Sequence, residues 1–279
     1  MAQRPMMITA AIVGAEVMRK DTPYLPITAE EIGEEAAKCR EAGASVVHVH
    51  VRNPDGTPSQ ETELFRAAIR EIRKRSDIII QTSTGGAVGM TAEERCGPLR
   101  LTGSDKPEMA TLTTGTVNFG EEIFTNPRPL VREIATRIRA AGVVPELEIF
   151  DAGMVDEAKY LVKEGLVGFP AHFDFVLGVP GGLGARPEAL QFLSASIPND
   201  CTWTCAAMSR HQLPFVELSA ELGGNTRVGL EDNIFISKGV LAKGSSELVA
   251  KAAQIAKSKG REIATPTAAR EILRITSKA

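Results

Sequence analysis

The chain has 279 residues, 43% hydrophobic and 24% charged, which supplies ample apolar material for a large folded core. Its 35 acidic and 32 basic residues nearly cancel to a formal charge of −3, with no basic block to follow a phosphate backbone, so nucleic acid is not an expected partner. No run approaches the roughly 20 apolar residues of a membrane span, and Cys39, Cys96, Cys201 and Cys205 form no CxxC pair, which points to free thiols in a reducing, cytoplasmic compartment.

The first apolar stretch, Met6 to Ala15, lacks a basic leader and runs straight into Glu16, Arg19 and Lys20, so it reads as a buried strand and its loop rather than a signal peptide. Strands are expected at 6–12, 46–51, 78–83, 109–113, 144–149, 173–177, 202–206 and 226–230. Helical periodicity fills most of the gaps between them: Thr28 to Ala42, Glu61 to Arg75, Val131 to Ala141, Met154 to Lys163, Arg186 to Ala195, Gln212 to Leu222 and Ser246 to Lys257. Thr28 and Glu31 have capping-box spacing, Gly43 suits the end of that helix, and a last helix is expected from Pro266 with Thr265 as its cap.

Strand and helix alternate from end to end, with no Ser/Gly-rich linker, charge block or low-complexity segment between them. The expected fold is therefore α/β, a (β/α)8 TIM barrel formed by 1–279 as one domain with a short C-terminal helical extension. An open doubly wound sheet is the competing architecture, but no GxGxxG follows the first strand. In a barrel, working residues belong at the C-terminal strand ends.

His48 and His50 lie two apart, so both imidazoles project from one strand face, as metal ligands or as a hydrogen-bonded pair would. A catalytic zinc keeps three protein ligands, and Glu231 after the eighth strand is the candidate third; the competing reading is a carboxylate stabilising a helix N-terminus. Ser83-Thr84-Gly85-Gly86 closes the third strand as a carboxylate-binding loop or a simple turn, while Thr111, Thr113, Glu148 and Glu16 also fall on or after strand ends. Arg227 and Asp232 bracket Glu231, and an arginine there binds a carboxylate by default. The Gly178 to Gly184 run is either a phosphate-binding loop or a tight corner, and Trp203 reads as core packing.

Together these segments resemble the β-keto acid cleavage enzymes over nearly the whole chain. The resemblance is carried by Ile8-Thr9-Ala10-Ala11-Ile12 with Gly14-Ala15-Glu16, Leu25 to Thr28, His48/His50 followed by Arg52, and Asp55 to Gln60. It continues through Gln81 to Gly89, Pro107 to Thr111, Gly115 to Gly120, Phe175 to Gly182 and Gly229 to Phe235. It implies a zinc ion on His48, His50 and Glu231, a keto acid held at Ser83, Thr84, Gly86 and Thr111, and catalytic surroundings made by Arg227, Asp232 and Glu148. It further implies acetyl-CoA as co-substrate, a homotetramer, and Glu16 as the group receiving a substrate ammonium. The expected reaction converts 5-amino-3-oxohexanoate and acetyl-CoA to acetoacetate and 3-aminobutyryl-CoA. Ala207 and Ser209 depart from the glycines expected beside Met208, and His211 is a candidate pocket wall, so the preferred side chain is open. Two other classes are weighed against this. An amidohydrolase-type metal hydrolase would need more histidines than His172 and His211 provide, and a non-catalytic barrel would have no use for the His48, His50, Glu231, Arg227 and Asp232 set.

Overall fold

A computed structural model describes residues 4–86 and 89–276. Ala87 and Val88, within the Gln81 to Gly89 motif, and both chain ends of the expected 1–279 domain therefore lie outside the described residues. Eight parallel strands close a barrel: β1 (Ile8–Ala11), β2 (Val46–Val49), β3 (Ile79–Thr82), β4 (Met109–Thr113), β5 (Val144–Ile149), β6 (His172–Leu177), β7 (Thr202–Ala207) and β8 (Asn225–Val228). Each pairs with its sequence neighbours, and β1 closes on β8 with Thr9 opposite Arg227.

The helices follow from local signals. In α1 (Ala29–Ala42) the Thr28 hydroxyl accepts from the Glu31 amide at 3.2 Å, and Glu31 accepts from the Thr28 amide at 3.0 Å. Such a cap is worth about 1 kcal/mol. Ile32, Ala36 and Cys39 of α1 share one core cluster with Phe65, Ala68, Ile69 and Ile72 of α2 (Thr62–Arg75), which fixes those helices against β1 to β3. After β3 the outer helix is reduced to α3 (Ala92–Arg95) and two 3-10 turns, because Gly97, Pro98 and Gly103 interrupt any longer period. The circuit continues through α4 (Arg128–Ala140), α5 (Gly153–Lys163), α6 (Pro187–Ser196), α7 (Gln212–Leu222) and α8 (Ser245–Ser258). No helix among the described residues is long and apolar enough to cross a membrane.

The barrel interior is divided by polarity. Met7, Val46, Ile79 and Met109, near the N-terminal strand ends, form an apolar floor that α9 (Pro266–Leu273) closes with Ala269 and Leu273. Above it, alternate residues of β5 and β6 bury Glu146, Glu148, His172 and Asp174. Among the described residues, three small hairpins stand beyond the strand ends: Val51–Arg52 with Pro58–Ser59, Val117–Phe119 with Glu122–Phe124, and Phe235–Ser237 with Val240–Leu241. The runs expected at 46–51 and 226–230 therefore stop short as barrel strands; His50 falls in the break before the first hairpin, and Leu230 in the turn after β8.

Candidate active site

A cavity of about 650 Å³ opens at the C-terminal strand ends and is lined by Glu16, His48, His50, Ser83, Gly86, Glu148, Arg227, Glu231 and Asp232. A larger hollow of about 920 Å³ lies at the opposite end among Arg4, Arg139, Phe169 and Arg274. The first gathers the titratable groups and occupies the end where barrels build their sites, which makes it the candidate active site.

His48, His50 and Glu231 place one ligand atom each within 4.8 Å of one another. Glu231 Oε1 lies 3.5 Å from His48 Nε2 and 3.7 Å from His50 Nε2, while its buried Oε2 has no hydrogen-bond partner among the described residues. His48 Nδ1 donates to Gln81 Oε1 at 2.7 Å, which turns Nε2 toward the cluster. Two imidazoles, one carboxylate and an orphaned oxygen suit a divalent ion such as zinc. Burial disfavours charge on His48, but neighbouring Glu231 lifts its pKa; at His50 burial wins and takes the pKa down to about 4. Burial also works against the Glu231 carboxylate, yet Arg227, His48 and His50 hold it well below the usual range. Glu231 does not begin a helix, because the Phe235–Ser237 hairpin strand follows it.

Arg227 is the electrostatic hub. Its Nε and Nη2 donate to the two oxygens of Asp232 at 2.9 and 2.8 Å, and Nη2 also reaches Glu231 Oε1 at 2.6 Å. Although burial disfavours its charge, Asp232 and Glu231 raise its pKa well above the ordinary value, so it remains a cation. Burial pushes the Asp232 carboxyl up despite Arg227. It does the same to Glu148, which accepts a 2.6 Å hydrogen bond from the Thr113 hydroxyl.

The loop after β3 divides the expected substrate contacts. Ser83 and Gly86 line the cavity, whereas Thr84 and Thr111 are fully buried behind it and bonded to each other. The Thr84 amide donates to the Thr111 hydroxyl at 3.2 Å, and the Thr84 hydroxyl to the Thr111 carbonyl at 2.5 Å. Glu16 is exposed at the rim on a loop stapled by Arg52, whose Nη2 donates to the Gly14 and Val17 carbonyls at 2.8 and 2.7 Å. Met208 and Ser209 also line the cavity; Ser209 takes a left-handed φ of 55°, a conformation that favours glycine, and its amide donates to the Asp232 carbonyl at 2.7 Å. Ala207 is buried, and His211 packs edge-on against Phe215 outside the cavity lining.

The glycine loop after β6 turns tightly on itself, and its Gly178, Val179 and Pro180 line the cavity. The Gly178 amide donates to Leu183, the Gly182 amide to Val179, and the Pro180 carbonyl accepts from Gly120 of the neighbouring hairpin. Trp203 packs on Phe175 in the core. Sequence reasoning gave no role to Gln81 or Asp174, nor to Phe119, Phe124 and Phe150 on the cavity wall. Asp174 is completely buried, with neither oxygen hydrogen-bonded among the described residues and Arg227 Nη1 3.8 Å away. The available signal was the polar alternation Glu146, Glu148 and His172, Asp174 within otherwise apolar strands.

Comparison with known proteins identifies the family. A family model described as beta-keto acid cleavage enzyme matches residues 5–275. The chain is 50% identical over 270 residues to a 3-keto-5-aminohexanoate cleavage enzyme of Fusobacterium nucleatum, covering 96% of this chain and 97% of that one. It is 38% identical over 278 residues to a 3-oxoadipate:acetyl-CoA acetyltransferase of Cupriavidus necator, covering 98% and 96%. The solved apo structure of ObcA superposes with a TM-score of 0.80 at 22% identity, over 91% of this chain and 66% of that one, a likeness of fold. With the match running through nearly all of the barrel, the chain is an enzyme and belongs to the β-keto acid cleavage enzyme family.

Proposed function

We propose that the chain cleaves a 3-oxo acid by acyl exchange with acetyl-CoA, with 5-amino-3-oxohexanoate as the preferred substrate and acetoacetate and 3-aminobutyryl-CoA as products. The reading rests on one observation above all, the convergence of His48, His50 and Glu231 beside the Arg227–Asp232 pair in a single cavity. Half-identical relatives of nearly equal length add support. His48, His50 and Glu231 would hold zinc, which when bound supplies a Lewis acid for polarising a carbonyl oxygen.

The chain's own residues divide the remaining work. Ser83 and the Gly86 segment orient the substrate carboxylate, with Thr84 and Thr111 bracing the loop behind them. Glu16 receives the ammonium at the rim. Asp232, set in place by Arg227, takes the C2 proton, and the resulting carbanion attacks the acetyl-CoA thioester carbon. The displaced CoA thiolate then attacks the original C3 carbonyl, and the C2–C3 bond breaks toward acetoacetate, whose carbon regains the proton. Arg227 stays protonated throughout, and Glu148 faces the adduct with a carboxyl that burial has pushed up. The chain acts as one domain; a homotetrameric, cytoplasmic enzyme is the assembly that accompanies this reading. Met208 and Ser209 on the cavity wall favour, as a second reading, the same reaction on a different 3-oxo side chain.

The test is incubation of the zinc-loaded protein with acetyl-CoA and a panel of amino-bearing and neutral 3-oxo acids, with acetoacetate and the new acyl-CoA measured by mass spectrometry. Acetoacetate should form only when acetyl-CoA is present, fastest with the amino-bearing acid, and Glu16→Gln should erase that preference. Absence of acyl exchange across the panel would remove the proposal, while equal loss on neutral acids in Glu16→Gln would remove the cationic preference.

A further inference from the structure

One buried charge beside the cavity is not used by this chemistry. Arg95, at the end of α3, is 2% exposed and among the largest fully buried side chains. Its Nε donates to the Thr84 carbonyl at 2.6 Å, its Cζ lies 5.1 Å from the Phe124 ring centroid, and its buried Nη2 has no hydrogen-bond partner among the described residues. No carboxylate lies within 4 Å of it among the described residues, whereas Arg227 has Glu231 and Asp232, and Arg66 and Arg70 share Asp105. Burial disfavours its charge and Glu148 acts on it only from beyond ion-pair distance, so an anion nearer the guanidinium would complete it.

Its position indicates which anion. Arg95 underlies the loop that presents Ser83 and Gly86 to the cavity: a Cβ added to Gly86 would come within 3.4 Å of Arg95 Cγ. Gln60 locks the two together by donating from Nε2 to the carbonyls of both Ser83 and Arg95 at 3.1 Å. Phe124, which the guanidinium covers, is itself part of the cavity wall. The metal cluster and Glu16 belong to β2 and to the segments after β2, β8 and β1, so the cation stands behind a different segment of the mouth.

We propose that Arg95 is a positioning residue that supplies the counter-charge for the keto acid's carboxylate, acting through the 83–86 loop and making the site selective for 3-oxo acids over neutral 3-oxo compounds. This rests on the reading of the cavity as a 3-oxo acid site. Acetoacetate and its uncharged methyl ester are the probes, with binding to the zinc-loaded protein measured by ligand-observed NMR. Wild type should prefer acetoacetate. Arg95→Met should weaken acetoacetate about tenfold or more while leaving the ester within about twofold, and Arg95→Lys should retain most of the acetoacetate affinity. Unchanged acetoacetate binding in Arg95→Met overturns the proposal, as does a parallel fall for both probes, which would mark a purely structural support. Wild type binding both probes equally would instead discard the carboxylate assignment of the loop, and Arg95's role with it.

Discussion

Replacing Gly14 by alanine challenges the metal site from an adjacent loop. Gly14 follows β1 at φ +68°, where an alanine costs about 1 kcal/mol or more. The new Cβ would lie 2.5 Å from Glu231 Cγ, 3.0 Å from its Cβ and 3.2 Å from its Cδ. Carbon atoms are comfortable from roughly 3.5 Å, so Glu231 must retreat by about 1 Å. It has little freedom to do so: its amide donates to Ala11 at 3.2 Å, and Arg227 grips Oε1 at 2.6 Å. Metal–ligand distances tolerate only about 0.2 Å. The expected result is zinc affinity lowered by about 10- to 100-fold or more, the range seen when even supporting contacts of a site are disturbed. Gly260→Ala is the control, since Gly260 has φ +75° and nothing within 4 Å of an added Cβ. Both variants should lose about 2–4 °C of thermal stability from backbone strain alone, but only Gly14→Ala should lose zinc in competition against a chromophoric chelator. Wild-type zinc affinity in Gly14→Ala would refute the placement of Glu231 as a ligand.

Two further outcomes bear on the same structure. Gln81→Leu removes the acceptor of His48 Nδ1 and should weaken zinc binding by about 10- to 100-fold with the barrel intact; unchanged affinity in a metal titration would reduce Gln81 to packing. All four cysteines are buried, and burial raises each thiol pKa, that of Cys96 to about 11. At pH 7.5 a thiol reagent should find none of them in the native protein and all four after denaturation; a fast-reacting native thiol would contradict the packing.

The barrel was legible because each strand carries its own apolar run and each main helix its own period, independent of distant contacts. The His48/His50 pair was legible for the same local reason: two residues apart means one face. Glu231 could be nominated by its place after β8 and by resemblance, but its approach to His48 depends on closure of the barrel, a long-range event. Thr84 and Thr111 show the limit more sharply. Their order in the chain marks them as strand-end residues, yet only the pairing of β3 with β4 brings their polar groups against each other behind the cavity wall. Arg95 was concealed by its position in a four-residue helix, where a charged side chain ordinarily faces water.

The distribution of charge around the cavity has a consequence for how a substrate must lie. Glu16, Glu121, Glu122, Glu148, Glu231 and Asp232 line it, Asp174 sits beneath, and, among the described residues, Arg227 is the cation on its wall. This acidic mouth favours a divalent ion and an ammonium group but opposes the carboxylate that every 3-oxo acid carries. The carboxylate therefore needs a place where backbone amides and a cation outweigh the acids. On the proposed function, the 83–86 loop, which carries no carboxylate side chain and has Arg95 behind it, is the place for the substrate's acid end, with the ammonium end toward Glu16. Reversing the substrate would set its carboxylate against Glu16 and its ammonium over Arg95, opposing charge at both ends at once. On this argument the two ends are selected by separate loops, and Glu16 and Arg95 can be altered independently to change one preference without the other.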